Sequence, residues 1–195
     1  MSLQDRITLH FSESIQTQQQ ALSQLSELIE FASQRLVAML LNDNKVLACG
    51  NGSSAANALQ FSASMLNRFD RERPALPAIA LTADTATITS IANDYHFDDI
   101  FAKQVRALGQ SGDILMVYTC SGDPANIVKA VTAAHDKNIS VIALTGQKGG
   151  SLAPILNSTD IEIRAPSNSR ARIQETHLLI THCLCDLIDH QLFGG

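Results

Sequence analysis

Short uninterrupted apolar runs alternate along this chain with longer stretches in which apolar residues return every three or four positions. The first pattern is that of a strand covered on both faces, the second that of a helix packed by one side. Five runs read as strands: Val46-Leu47-Ala48-Cys49, Ala78-Ile79-Ala80-Leu81, Asp113 to Thr119, Ser140 to Thr145, and Asp160 to Ile163, the last more alternating and so an edge candidate. Between them the periodicity predicts helices after Ser53-Ser54, over Thr82 to Asn93, Ile100 to Leu108 and Ala125 to His135, and from about Arg172 to Leu192. Ahead of the first strand, Ile7, Phe11, Ile15, Leu22, Leu25 and Ile29, continued by Leu36, Met39 and Leu40, predict a pair of Gln-rich helices ending at the turn formers Asn42-Asp43-Asn44.

Strands separated by helices throughout imply a parallel sheet with right-handed crossovers, a doubly wound α/β domain of five strands in the order 2-1-3-4-5 with helices on both faces. One domain spans residues 1–195, with an α/β core over 45–195 and an amino-terminal helical region over 1–41 assigned to subunit packing. In this topology a ligand crevice opens between the carboxyl ends of strands one and three. Strand one ends in Gly50-Asn51-Gly52-Ser53-Ser54, where a serine can cap the following helix, and strand three in Cys120-Ser121-Gly122-Asp123-Pro124, with Asp123 placed as a cap and Pro124 as the first helical residue. Both turns offer backbone N–H groups and hydroxyls at a helix start, which suits a phosphate ester. Neither is a nucleotide P-loop or a G-x-G-x-x-G fingerprint.

Composition narrows the field of functions. With 14 Lys and Arg against 19 Asp and Glu, the net charge of −5 excludes a broad nucleic-acid-binding face. The four cysteines, Cys49, Cys120, Cys183 and Cys185, lack zinc-type spacing and read as reduced thiols of a cytoplasmic protein. Cys183 and Cys185 point about 200° apart on one helix, which disfavours a redox or metal pair. Nothing at Met1 to Arg6 reads as a secretory signal and no apolar run has membrane length, so no membrane association is expected.

Cys49-Gly50-Asn51-Gly52-Ser53-Ser54, Asn93-Asp94 with Phe97-Asp98-Asp99-Ile100-Phe101, Ser121-Gly122 and Arg172-Ile173-Gln174-Glu175-x-His177 together resemble the sugar isomerase (SIS) domain family, whose fold is flavodoxin-like. The phosphoheptose isomerase branch fits nearly the whole chain. The resemblance implies a phosphosugar site at Asn51, Gly52, Ser53, Ser54, Asn93, Asp94, Thr119, Cys120, Ser121 and Gln174, and His182 as the catalytic group of an isomerase. It also implies that the helix after the first serine turn carries a His and a Glu, and here those places hold Gln60 and Ser64. A zinc site built from that pair with the positions of Gln174 and His182 would retain one good ligand, so no metal or cofactor is expected. The family's Asp before Arg-Ile-Gln is Ala171, and Pro124 stands where a hydroxyl belongs.

Aldose–ketose isomerisation moves a proton between adjacent carbons and needs an acid–base pair, so these departures favour a non-catalytic member. Gln60-Phe61-x-Ala63-Ser64-Met65-x-Asn67-Arg68-Phe69 and Cys183-Leu184-Cys185-Asp186-Leu187-Ile188-Asp189-x-x-Leu192-Phe193 resemble most closely the relatives that associate with the replication initiator DnaA. The resemblance then implies a homotetrameric adaptor that assembles DnaA at the origin through Leu192 and Phe193. The alternatives are a sedoheptulose 7-phosphate isomerase and a phosphosugar-binding regulator.

Overall fold

The computed structural model describes residues 1–194; Gly195, which follows the terminal Leu192-Phe193-Gly194 stretch, lies outside them. Five parallel strands, β1 (Val46–Gly50), β2 (Ala78–Ala80), β3 (Ile114–Tyr118), β4 (Ser140–Gly146) and β5 (Ile161–Ala165), form one sheet in the order β2-β1-β3-β4-β5. The topology is the one that the alternation of strand and helix patterns predicts. The alternate burial of β5, with Glu162 and Arg164 facing outward from the Ile161, Ile163 and Ala165 side, reflects its edge position.

The helices are α1 (Leu3–Leu40), α2 (Ser53–Leu66), α3 (Thr85–Asp94), α4 (Ile100–Leu108), α5 (Ala125–His135) and α6 (Arg170–Phe193). Each central strand supplies both faces of the core. Val46 and Ala48 of β1, with Met116 and Tyr118 of β3, pack under α1, α2 and α6 through Leu36, Phe61, Met65, Ile180 and Leu184. Leu47 and Cys49, with Leu115 and Val117, pack under α4 and α5 through Phe101, Val105, Ile127 and Val131. That two-sided burial is why the strands read as continuous apolar runs.

Where the pattern predicts two amino-terminal helices, the chain forms one of 38 residues, roughly 57 Å long. No Gly or Pro interrupts Leu3 to Leu40, and a Ser2–Asp5 capping box fixes its start. Its carboxyl half belongs to the core through Ala21, Leu25, Ala32, Leu36 and Met39. Leu3, Ile7, Phe11 and Ile15 of its amino half, and Leu22 beyond them, are left uncovered. The apparent break is a shift of the apolar stripe from one side of a continuous helix to another.

Other boundaries also move. The third helix starts at Thr85, because Asp84 takes the capping position and accepts from the Thr87 N–H at 3.0 Å. The last helix starts two residues before Arg172, which places Arg170 in its first turn.

A buried ion pair ties the last helix to the β2 side of the domain. Arg73 Nε meets Asp189 Oδ1 at 2.9 Å with side chains 1% and 5% exposed. The remaining Arg73 nitrogens donate to the carbonyls of Ser64 and Met65 at the end of α2 and of Pro74. Asp189 Oδ2 has no partner among the described residues, so Arg73 Nε carries that carboxylate's pairing. Removing one partner of a buried pair strands the other. Arg73→Ala is expected to lower unfolding free energy by about 3 to 5 kcal/mol in urea denaturation, whereas Arg73→Met combined with Asp189→Leu loses clearly less. A single variant as stable as the parent contradicts this.

Candidate functional site

β1 and β3 are neighbours in unbroken register from Val46–Ile114 to Gly50–Tyr118, so the turns that follow them emerge side by side. Gly50 lets α2 start hard against the strand, since a Cβ there would lie 2.6 Å from the Ser54 carbonyl oxygen. Gly52, at φ 57°, is the residue ahead of the helix, in a conformation that glycine adopts without strain. The expectation that Ser53 or Ser54 caps α2 is corrected by this geometry. Both serines lie inside the first turn, and no side chain caps the helix.

The second turn is built around Thr119 and Ser121. Thr119 Oγ1 accepts the Gly122 N–H at 3.1 Å and Ser121 Oγ accepts the Asp123 N–H at 3.2 Å, leaving each hydroxyl proton to donate elsewhere. Gly122, at φ 77°, lets this turn lie directly on the loop after β4, where a Cβ would collide with the Gly149 carbonyl. Asp123 is not the helix cap that its place before Pro124 predicts. The left-handed Gly122 swings its carboxylate toward that loop, where Oδ1 accepts from Ser151 N and Oγ at 2.9 and 3.0 Å, and Pro124 takes the capping position. A reciprocal amide pair, Asn51 with Asn126 at 2.8 Å in both directions, clamps the two turns together.

Between the turns lies an open cavity of about 500 Å³ lined by Asn51, Gly52, Ser53, Ser54, Thr119, Cys120, Ser121 and Gln174, all anticipated from the sequence, and by five further residues. Those five are Tyr118, Pro124, Asn168, Arg170 and Ile173. Arg170 is the addition that matters most, because a guanidinium at the cavity wall complements the α2 amino terminus for an anion. Its signal was the Ser167-Asn168-Ser169 turn, a helix start that puts the next residue on the first turn. Asn93 and Asp94, by contrast, sit at the exposed end of α3, where Asn93 Nδ2 donates to Asp94 Oδ1 at 2.9 Å, and neither lines the cavity of a single chain.

His182 lies outside the cavity lining, its ring tilted beside Phe69 with centroids 5.6 Å apart. Gln60 Nε2 reaches Ser64 Oγ at 3.4 Å, and Ser64 is buried. Gln60, Ser64, Gln174 and His182 therefore offer one imidazole and do not fit a zinc ion; among the described residues no group of three or more His, Cys, Asp or Glu is placed to hold a metal. Leu192 and Phe193, expected to carry the partner contact, differ in exposure. Leu192 packs against the core, and Phe193 is 40% exposed.

Behind the cavity, α6 is joined to the sheet by buried polar contacts. His177 Nε2 donates to the Thr145 carbonyl at 3.0 Å. Thr181 Oγ1 donates to the His177 carbonyl, so the 3.0 Å contact to Tyr118 has the phenol as donor. Burial is the main influence on His177 and pushes its pKa down to about 4, against a smaller opposing effect of the Thr145 bond.

A polar, anion-suited crevice at the switch point of a doubly wound sheet is what fold and site define together. The SIS domain model matches residues 10–146, and the chain belongs to that family. It is 60% identical over 194 residues to a phosphoheptose isomerase from Methylococcus capsulatus, with all of both chains covered. It is 57% identical to one from Chromohalobacter salexigens, covering 100% of this chain and 99% of the other. A solved phosphoheptose isomerase from Francisella tularensis superposes with a TM-score of 0.93 at 50% identity, over 97% of this chain and 100% of that one. These full-length relatives overturn the expectation of a non-catalytic DnaA adaptor and of closest likeness to the DnaA-associating members; they favour the isomerase alternative.

The His177 environment yields a pH signature. In the unfolded chain an imidazole titrates near 6.5. Above that pH both states are neutral and His177 contributes no pH dependence. Between about 6.5 and 4 the unfolded state binds a proton that the folded state refuses, so stability falls as pH falls. The decline attributable to this residue is about 3 kcal/mol. Urea denaturation at pH 7.5 and 4.5 should show it, and His177→Gln should remove it; equal pH dependence in parent and variant contradicts the assignment.

Proposed function

We propose that the crevice binds the phosphate end of a phosphorylated sugar and that the protein interconverts the aldose and ketose forms of a phosphoheptose such as sedoheptulose 7-phosphate. The observation carrying this reading is the convergence of Ser53, Ser54, Thr119, Ser121 and Arg170 on one cavity at the amino terminus of α2, in a chain whose relatives of equal length are named as phosphoheptose isomerases. Hydroxyls and N–H groups hold the phosphate oxygens, and the guanidinium balances their charge. Gln174, on α6, is placed to bond sugar hydroxyls. Proton transfer falls to His182, eight residues further along α6 and about 80° round it from Gln174, together with a group that a second copy brings to the open side of the cavity.

One observation favours a second reading, binding without turnover. Among the described residues the cavity lining contains no carboxylate. Calorimetry and a turnover assay with sedoheptulose 7-phosphate separate the two. The first reading expects the parent to bind and to turn over, Arg170→Ala to weaken binding at least about tenfold, and His182→Ala to bind but not turn over. Binding without parental turnover selects the second reading, and no binding at all contradicts both.

We also propose that the uncovered row Leu3, Ile7, Phe11, Ile15 and Leu22 packs on further copies of the chain in a homotetramer. Light scattering should give four chains for the parent and a smaller mass for Phe11→Glu with Ile15→Glu; an unchanged mass overturns that role for α1.

A further inference from the structure

The segment Ser167 to Glu175 has two sides with different duties. Asn168, Arg170, Ile173 and Gln174 line the crevice. Ser167, Ser169 and Arg172 instead line a small polar cleft of about 300 Å³, whose far wall is Glu13, Gln16, Thr17 and Gln20 of α1. The residues that would grip a sugar phosphate therefore sit on a turn whose back faces the amino half of α1.

Polar bonds span that cleft. Arg172, 6% exposed, donates from Nη1 to the His10 carbonyl at 2.6 Å and from Nη2 to Glu175 Oε1 at 2.5 Å. Glu175 Oε2 in turn accepts from Ser14 Oγ at 2.8 Å, and Glu13 Oε2 lies 3.8 Å from Arg172. The amino-terminal residues of α1 ahead of Thr17 bury no side chain in this chain. Among the described residues, their polar ties to the rest of the domain are this network.

We propose that the amino half of α1 is a positioning strut for the crevice: the Arg172–Glu175–Ser14 network, anchored on the His10 carbonyl, holds the first turns of α6 so that Arg170 and Gln174 face the sugar phosphate. Arg172 acts through its neighbours and touches no ligand. A guanidinium suits the task because its planar fork bonds two elements at once, which an ammonium does not reproduce. Displacing the turn by about 1 Å takes a hydrogen bond to the ligand beyond bonding distance. This inference rests on the phosphosugar reading for its consequence, although the mechanical coupling stands apart from it.

Two measurements on the full chain separate those parts. Hydrogen exchange without ligand should show faster exchange in residues 169–175 for Arg172→Lys and Glu175→Gln, with melting temperature within a few degrees of the parent; unchanged exchange in that segment overturns the strut whatever the protein binds. Calorimetry with sedoheptulose 7-phosphate should show roughly tenfold weaker binding for Arg172→Lys, the loss of about one hydrogen bond to the ligand. Ser14→Ala should add little on top of it, because both residues belong to one network. In turnover, KM rises while kcat holds. Parental affinity in Arg172→Lys and Glu175→Gln, beside a loss in Arg170→Ala, overturns the positioning role. Failure of the parent to bind defeats the phosphosugar reading, and the exchange result then decides the strut alone.

Discussion

The side-by-side register of β1 and β3 is the constraint on which the rest of the site depends. Five consecutive residue pairs bring both strands to the same carboxyl edge, at Gly50 and Tyr118. Each strand is then followed by a turn that must reverse into a helix within a few residues, so two helix starts and their unpaired N–H groups face one space. The turns cannot drift apart, because the Asn51–Asn126 amide pair bridges them and the Gly122 backbone lies against that of Gly149. The crevice is thus a consequence of sheet topology, sharpened by glycines where side chains would not fit.

This explains why so much of the site was legible in the chain. Apolar runs, glycine-serine turns and helix periodicity are local signals, and together they determine strand order and the crevice position. What was not legible depends on partners far apart in sequence. Arg73 and Asp189 meet across 116 residues and Ser14 and Glu175 across 161, and no spacing rule announces either pair. Asp123 has the local appearance of a cap, yet Ser151 offers it two donors once the glycine loop folds over. Arg170 was missed for a smaller reason, a two-residue error in where the last helix begins. The amino-terminal helix was divided in two because its apolar face rotates, although nothing in the chain stops the helix.

The functional correction has a physical side as well. Gln60 and Ser64 in place of acid–base residues, with Ala171 and Pro124, argued for a retired site, but full-length likeness to phosphoheptose isomerases outweighs an inference from four positions. The crevice of one chain is open, and α1 carries a long apolar row beyond its own core. The packing proposed for that row would bring a second copy's groups to the open side, so the acid–base residues of one chain need not be the whole set.

The central claim is that the two serine turns and Arg170 form the phosphate end of a sugar site. The most direct measurement is a crystal structure of the protein grown with sedoheptulose 7-phosphate. The account predicts phosphate density within hydrogen-bond reach of Ser53, Ser54, Ser121 and Arg170, with the sugar running toward Gln174. A crevice that stays empty at saturating ligand, or a phosphate seated elsewhere on the chain, contradicts it.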